Sequence, residues 1–419
     1  MKLKTFNLTI RIRLFLIFLS SVSTMSVLPY LIIYLSGKTG NLITGFLFLG
    51  VMIAHVGGSI LGGFASDRLG RKKIILLSEF IMFMGFTGAA FVHSHPYLMF
   101  FAFVFIQFSS GAASPVYQAL IIDVSLPEER KTIHTYSYWV RNTGIAVGSM
   151  AGAFLFFDYL FYLLLGAAMS ILCSFLITAF FIQETYIPAK ANQSNSRSSS
   201  IIKAYRNILA HRFFTVFLIA SLLIVSVEEQ LTNYIGVHLA NKISEPVQLA
   251  AFLPLKVDGV NMLGILKTEN TILIVCFTMM ISAVMKKYND RFVFLAGLLL
   301  FFVGYTVVSF STSPLVLILA MFIASIGEML YIPVQQTLLA SSVPDHARSS
   351  YMALYTIAMI LGVSAAGIFM IVSNWLSPMV MTTLIGSMGI VSILLFYQLT
   401  KTGDDRRILK LPGENTSAE

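Results

Sequence analysis

The chain has 419 residues, 57% of them hydrophobic and only 11% charged, with a formal net charge of +9. A soluble domain carries about 25% charged residues, so this composition excludes a water-facing globular enzyme and puts most of the surface in lipid. The mean hydropathy of +0.83 agrees. The basic excess sits beside apolar runs, where membrane topology explains it and nucleic-acid binding does not.

A crossing helix needs roughly 20 apolar residues. Taken in chain order, the apolar runs predict twelve spans over 10–35, 43–65, 74–93, 96–124, 135–157, 159–182, 212–239, 266–286, 291–311, 314–341, 349–373 and 376–399. The first run is long enough to cross and lacks a small-residue cleavage site, so it reads as a span rather than a leader. Twelve spans place both termini on one side. If that side is cytoplasmic, the outer segments hold only Lys38, Lys242, Lys256 and Lys267, and Arg141 lies inside a span. That is the charge bias of a multi-pass protein of a bacterial cell membrane. The polar stretch PAKANQSNSRSSS predicts a linker, giving a six-span lobe over 1–185, a cytoplasmic linker over 186–211, a second lobe over 212–400 and a cytoplasmic tail over 401–419. The KAYRNILAHR segment suits a short amphipathic helix on the inner surface. The longest outer loop, about 240–265, has Pro246 and Pro254 and no pattern of structure.

The two halves repeat. Setting Pro96 on Pro314 brings Pro115 onto Pro333, Gln118 onto Gln336, Arg130 onto Arg348 and Gly144 onto Gly362. Parallel repeats of this kind build transporters whose site lies near mid-membrane between the repeats.

Between spans 2 and 3 the sequence reads GGFASDRLGRKK, Gly62 to Lys73. Asp67, Arg68, Arg71, Lys72 and Lys73 cannot lie in hydrocarbon, so this is a tight hairpin with Gly70 in its turn. Asp67 and Arg71 are four apart and could pair on a helical turn. The pattern Gly-x-x-x-Asp-Arg-x-Gly-Arg-Lys resembles the loop between helices 2 and 3 of the major facilitator superfamily. That resemblance implies an all-α membrane protein with twelve transmembrane helices in two pseudo-repeated lobes. It also implies a lock in which Asp67 caps helix 11 and Arg71 reaches an acid at the inner end of helix 4, here Asp123. The alternative is that the basic cluster only fixes topology. Glu79 on span 3 and Arg141 on span 5 read as further members of an inner charge cluster with Arg71 and Asp123.

Span 5, YWVRNTGIAVGSMAGAF, spaces Gly144, Gly148 and Gly152 every four residues, a smooth face for close packing. It resembles the helix-5 motif of antiporters in the superfamily, with Ser149 in place of the Pro and Ala153 in place of the last Gly. Glu228 and Glu229 lie mid-span in SLLIVSVEEQLTNY, and Glu328 mid-span in FIASIGEMLYIPVQQ. Ionisable groups at that depth are functional candidates, and adjacent residues on a helix point about 100° apart, so the two glutamates of the pair have different surroundings. They could exchange protons or only bond neighbouring helices through Asn233, Gln335 or Tyr331. In the family, spans 1, 4, 7 and 10 line the cavity, which implies cavity positions for Glu328, at least one of the pair, Gln107, Tyr117, Gln118 and Gln336. Exporters of the family carry an Arg four residues before a span-4 Gly; here Gln107 precedes Gly111.

The chain has no phosphate loop of the Gly-x-x-x-x-Gly-Lys-Ser/Thr type, no Gly-x-Ser-x-Gly and no His-Glu-x-x-His, so neither an ATP-driven pump nor a hydrolase is expected. Cys173 and Cys276 fall in apolar runs, and no cofactor or metal ligand spacing occurs. The expected partners are the lipid bilayer, a small-molecule substrate and protons, for a monomer that does not bind nucleic acid. The nearest pattern is that of bacterial twelve-helix drug/proton antiporters. The reading is therefore proton-coupled efflux of a small cationic or amphipathic molecule. The rivals are a proton-linked uptake symporter, and a non-transporting sensor or lipid translocator.

Overall fold

A computed structural model describes residues 6–184, 206, 208–250, 253–285, 288–342 and 348–402. The expected linker and tail lie almost wholly outside these residues; of the expected inner-surface amphipathic helix, Arg206 and residues 208–212 are described. The first element, α1, runs Leu8–Leu69 as 62 residues. It starts where the Asn7 side chain accepts from the Thr9 amide at 3.0 Å, satisfying one of the free amides of a helix start. A helix of that length cannot lie straight across a bilayer. It breaks at Gly40 (φ 80, ψ 163), a conformation closed to side-chain-bearing residues, and so supplies the first two spans. Then follow α2 (Arg71–Phe91), α3 (Pro96–Val124) and α4 (Pro127–Phe181), which breaks at Tyr159 into spans 5 and 6.

Span 7 comes in three pieces: α5 (Arg212–Glu228), a π-helical turn over Leu231–Ile235 and α6 (Gly236–Lys242). The remaining helices are α7 (Gly259–Met285), α8 (Asp290–Phe310), α9 (Pro314–Ser342), α10 (Arg348–Val372) and α11 (Pro378–Thr402). Among the described residues, 10 helical stretches are long and apolar enough to cross a membrane, and the two broken ones bring the crossings to twelve. The repeat is visible in the helices: α3 and α9 are both 29 residues long and carry Pro115 and Pro333 at the same step.

Two expectations are corrected. The outer loop has structure: β1 (Val247–Ala250) and β2 (Leu253–Val257) pair antiparallel, Val247 opposite Val257 and Gln248 opposite Lys256. The proline in β2 is tolerated because a two-stranded ribbon consists only of edges. Span 8 begins at Gly259 rather than 266, which puts Lys267, counted with the outer segments, well inside the helix rather than at its edge. The polar run Lys267–Thr271 interrupts the hydropathy pattern, yet it is accommodated. The Thr268 hydroxyl donates to the Ala146 carbonyl at 3.3 Å and that of Thr271 to the Lys267 carbonyl at 2.8 Å.

By contact density the chain forms two units. One comprises residues 1–193, 232–275 and 367–375; the other comprises 194–231, 276–366 and 376–419. In the first, small residues set the packing. A Cβ on Gly58 would overlap the Phe108 carbonyl, one on Gly62 the Ala112 backbone, and one on Gly111 the His55 carbonyl. Spans 2 and 4 are thus interlocked backbone to backbone, as close helix contact in lipid requires. Gly144, Gly148 and Gly152 do the same for span 5 on span 1, meeting the carbonyls of Phe18, Val22 and Ser26. In the second unit Gly297, Gly304 and Gly327 bring α8 and α9 into the same kind of contact.

Candidate functional site

The loop at Gly70 is built by its neighbours in the first unit. Gly70 sits at φ 97, ψ 155 between α1 and α2. The Glu184 carboxylate, at the end of span 6, accepts from the Arg71 amide at 3.0 Å and the Lys72 amide at 3.1 Å. Those are the free amides of the α2 start, and a carboxylate there is favoured by the helix dipole as well. The Lys72 ammonium donates to the Ala179 carbonyl at 2.7 Å. Arg71 Nε pairs with Asp123 at 2.9 Å across from α3. Arg68 is exposed, its guanidinium over the Phe64 ring at 4.1 Å. The Asp67 side chain lies outside the described ones. Gly70→Ala is expected to cost about 1–3 kcal/mol, because Ala resists this φ and its methyl would meet the Glu184 carboxylate. The readout is the midpoint of thermal inactivation in detergent.

Glu79 does not join Arg71. It is 1% exposed in α2, and its Oε1 accepts from three hydroxyls: Ser174 at 2.5 Å, Tyr117 at 2.7 Å and Thr178 at 3.4 Å. Its Oε2 is buried with no hydrogen-bond partner among the described residues. Arg13 of α1 stacks on the Tyr117 ring at 3.6 Å, a cation–π contact. Arg13, Tyr117, Gln118 and Arg141 line one cavity of about 380 Å³. Gln107 is not part of it; it lines a separate apolar pocket with Leu31, Phe100 and Phe103. Of the expected cluster of four charged residues, Arg71 and Asp123 pair, and Glu79 is bonded to Tyr117 and Ser174, which line the same cavity as Arg141.

In the second unit, Glu228, Glu229 and Glu328 all act electrostatically on Tyr305, and Glu228 and Glu328 also on Tyr331. Glu328 is 6% exposed and both tyrosines are buried. The repeat partner of Gln118, Gln336, is exposed. It is Gln335 that is buried, donating to the Ser221 hydroxyl at 2.9 Å.

The profile of the Major Facilitator Superfamily matches residues 13–255 and 249–416. The chain belongs to that superfamily. It is 27% identical to a Na(+), Li(+), K(+)/H(+) antiporter of Planococcus maritimus over 98% of this chain and all of that one. It is 22% identical to the multidrug resistance protein MdtH of Salmonella typhi over 84% of each. In fold it is similar to a peptide transporter POT crystallised with sulfate, with a TM-score of 0.71 at 15% identity over 94% of each chain. It is also similar to the nucleoside transporter NupG, with a TM-score of 0.69 at 16% identity over 95% of this chain and 99% of that one.

For a superfamily transporter, several polar residues here escape a motif-based reading. Glu184 carries the cap of the signature loop from 113 positions away in sequence. Arg13 belongs to the basic excess that membrane topology explains, yet it is 5% exposed. Glu269, inside α7, has a buried Oε2 without a hydrogen-bond partner; the signal for it was a carboxylate within a crossing length of helix.

Proposed function

We propose that this transporter is a proton-coupled antiporter that exports a small cation through a bacterial cell membrane, with both termini in the cytoplasm and two six-helix lobes alternating access to a central site. The observation that carries the reading is that three carboxylates in the middle of crossing helices, Glu228, Glu229 and Glu328, all act electrostatically on the buried Tyr305. A carboxyl in such a place holds either a proton or a cation, and one group that must choose between them couples their movements. The relative that exchanges sodium, lithium and potassium for protons, similar over 98% of this chain, supports an inorganic cation. The multidrug relatives support an organic one. Arg71 and Asp123 would hold the cytoplasmic end of the first unit closed while the cavity faces out.

Everted vesicles loaded with a respiration-driven pH gradient test the reading. Addition of KCl, NaCl, LiCl or a cationic dye is expected to dissipate the gradient only where the protein is present. Accumulation of cargo in right-side-out cells, with no dissipation in everted vesicles, would replace antiport by uptake symport. No movement of any cargo in either orientation would favour a sensor or a lipid translocator.

A further inference from the structure

The cavity of the first unit has the wrong sign for a cation. Two guanidinium groups line it, Arg13 from span 1 and Arg141 from span 5, together with Ser20, Ser21, Tyr117 and Gln118. No carboxylate lines it. Arg13 is 5% exposed and is drawn electrostatically to Glu79 and Tyr117, while its Nε is buried with no hydrogen-bond partner among the described residues. Among the described residues neither arginine makes an ion pair. The one acid near by, Glu79, stands behind the Tyr117 hydroxyl and gives its Oε1 to three hydroxyls. It offsets at most one of the two positive charges.

Arginine within a membrane span is costly unless paired or wet, and marks a ligand path. Its planar fork of donors matches an oxyanion, which an ammonium or a lone hydroxyl does not. The hydroxyls around the pair supply the neutral donors that such an anion would also use. We infer that the cavity is an oxyanion site: a carboxylate or phosphate group, free or carried by a small molecule, binds between Arg13 and Arg141. The site takes the charge opposite to that which the three glutamates of the second unit would take.

Equilibrium binding to the purified, detergent-solubilised protein tests this without a gradient or a cargo, so failure of the antiport reading leaves it intact. Radiolabelled inorganic phosphate and radiolabelled acetate are the two probes, and whichever saturates names the oxyanion class. Arg141→Gln is expected to weaken that binding by about tenfold, the range of one lost charge-assisted contact. Arg141→Lys is expected to restore only part of it, and Arg13→Gln to weaken it likewise. Because Arg13 is buried and its variant could misfold, the exposed Arg141 carries the decisive comparison. Wild-type affinity in Arg141→Gln overturns the site. So does displacement of the probe by chloride as readily as by the unlabelled oxyanion, or the absence of saturable binding of either probe.

Discussion

Glu328→Gln is expected to abolish gradient-driven exchange while cargo-for-cargo exchange at equal pH on both sides survives. Gln keeps the size and hydrogen-bonding reach of the side chain and removes only its capacity to release a proton. The site is 6% exposed and acts electrostatically on the buried Tyr305 and Tyr331, and the isosteric change leaves the packing of α9 on α8 in place. Transport driven by a pH gradient should fall to the level of vesicles without the protein, and counterflow of preloaded cargo should persist. A variant that retains full gradient-driven exchange removes Glu328 from the coupling and leaves Glu228 and Glu229 to carry it. A variant that loses both activities, while still eluting as a monodisperse species, makes Glu328 a structural group.

The second large effect is on assembly. Gly58→Val is expected to yield little folded protein in the membrane. The β-branched side chain would have to occupy the space of the Phe108 carbonyl, and Gly111 sits reciprocally against His55. Overfilling a side-chain core costs about 1–3 kcal/mol, but here the obstacle is backbone, which cannot turn aside as a side chain does. Separation of spans 2 and 4 would also disturb the Arg71–Asp123 pair, since its two residues sit where these helices lead. Gly57→Val makes the comparison, because nothing lies near a Cβ at that position. It is expected to express at wild-type level. Equal yields of the two variants would sink the interlock.

What could be read in the sequence followed from physical periodicity and from short motifs. Apolar runs mark crossings because lipid allows few alternatives to a helix, and where the runs were clean, as in α8, the expected and observed ends agree within a residue or so. The failure at α7 lies upstream of the run: Gly259, Asn261 and Gly264 hid the first turns, so the helix begins at Gly259 rather than 266. The β-hairpin was hidden because Pro246 and Pro254 read as breakers and no Asn-Gly or Asp-Gly turn stands between its strands. In the loop after Leu69, Gly70 and Arg71 were legible as a motif, and so was Asp123 as an acid at a helix end. Glu184 was not, because nothing local says that a residue from span 6 caps α2. Arg13 was misread because a basic residue near an N-terminus already has a sufficient explanation in topology. Only the packing of Tyr117 and Glu79 shows that it lies inside.

Glu184 has one more consequence. It follows closely on the end of α4 at Phe181, and both its oxygens are engaged at the α2 start. The joining segment therefore leaves from an anchored carboxylate rather than from a loose helix end. Any scheme that expresses the halves as separate polypeptides, or swaps the first half onto another partner, has to cut downstream of position 184. A cut only a few residues earlier would leave every helix of the first half intact and still unfasten its signature turn.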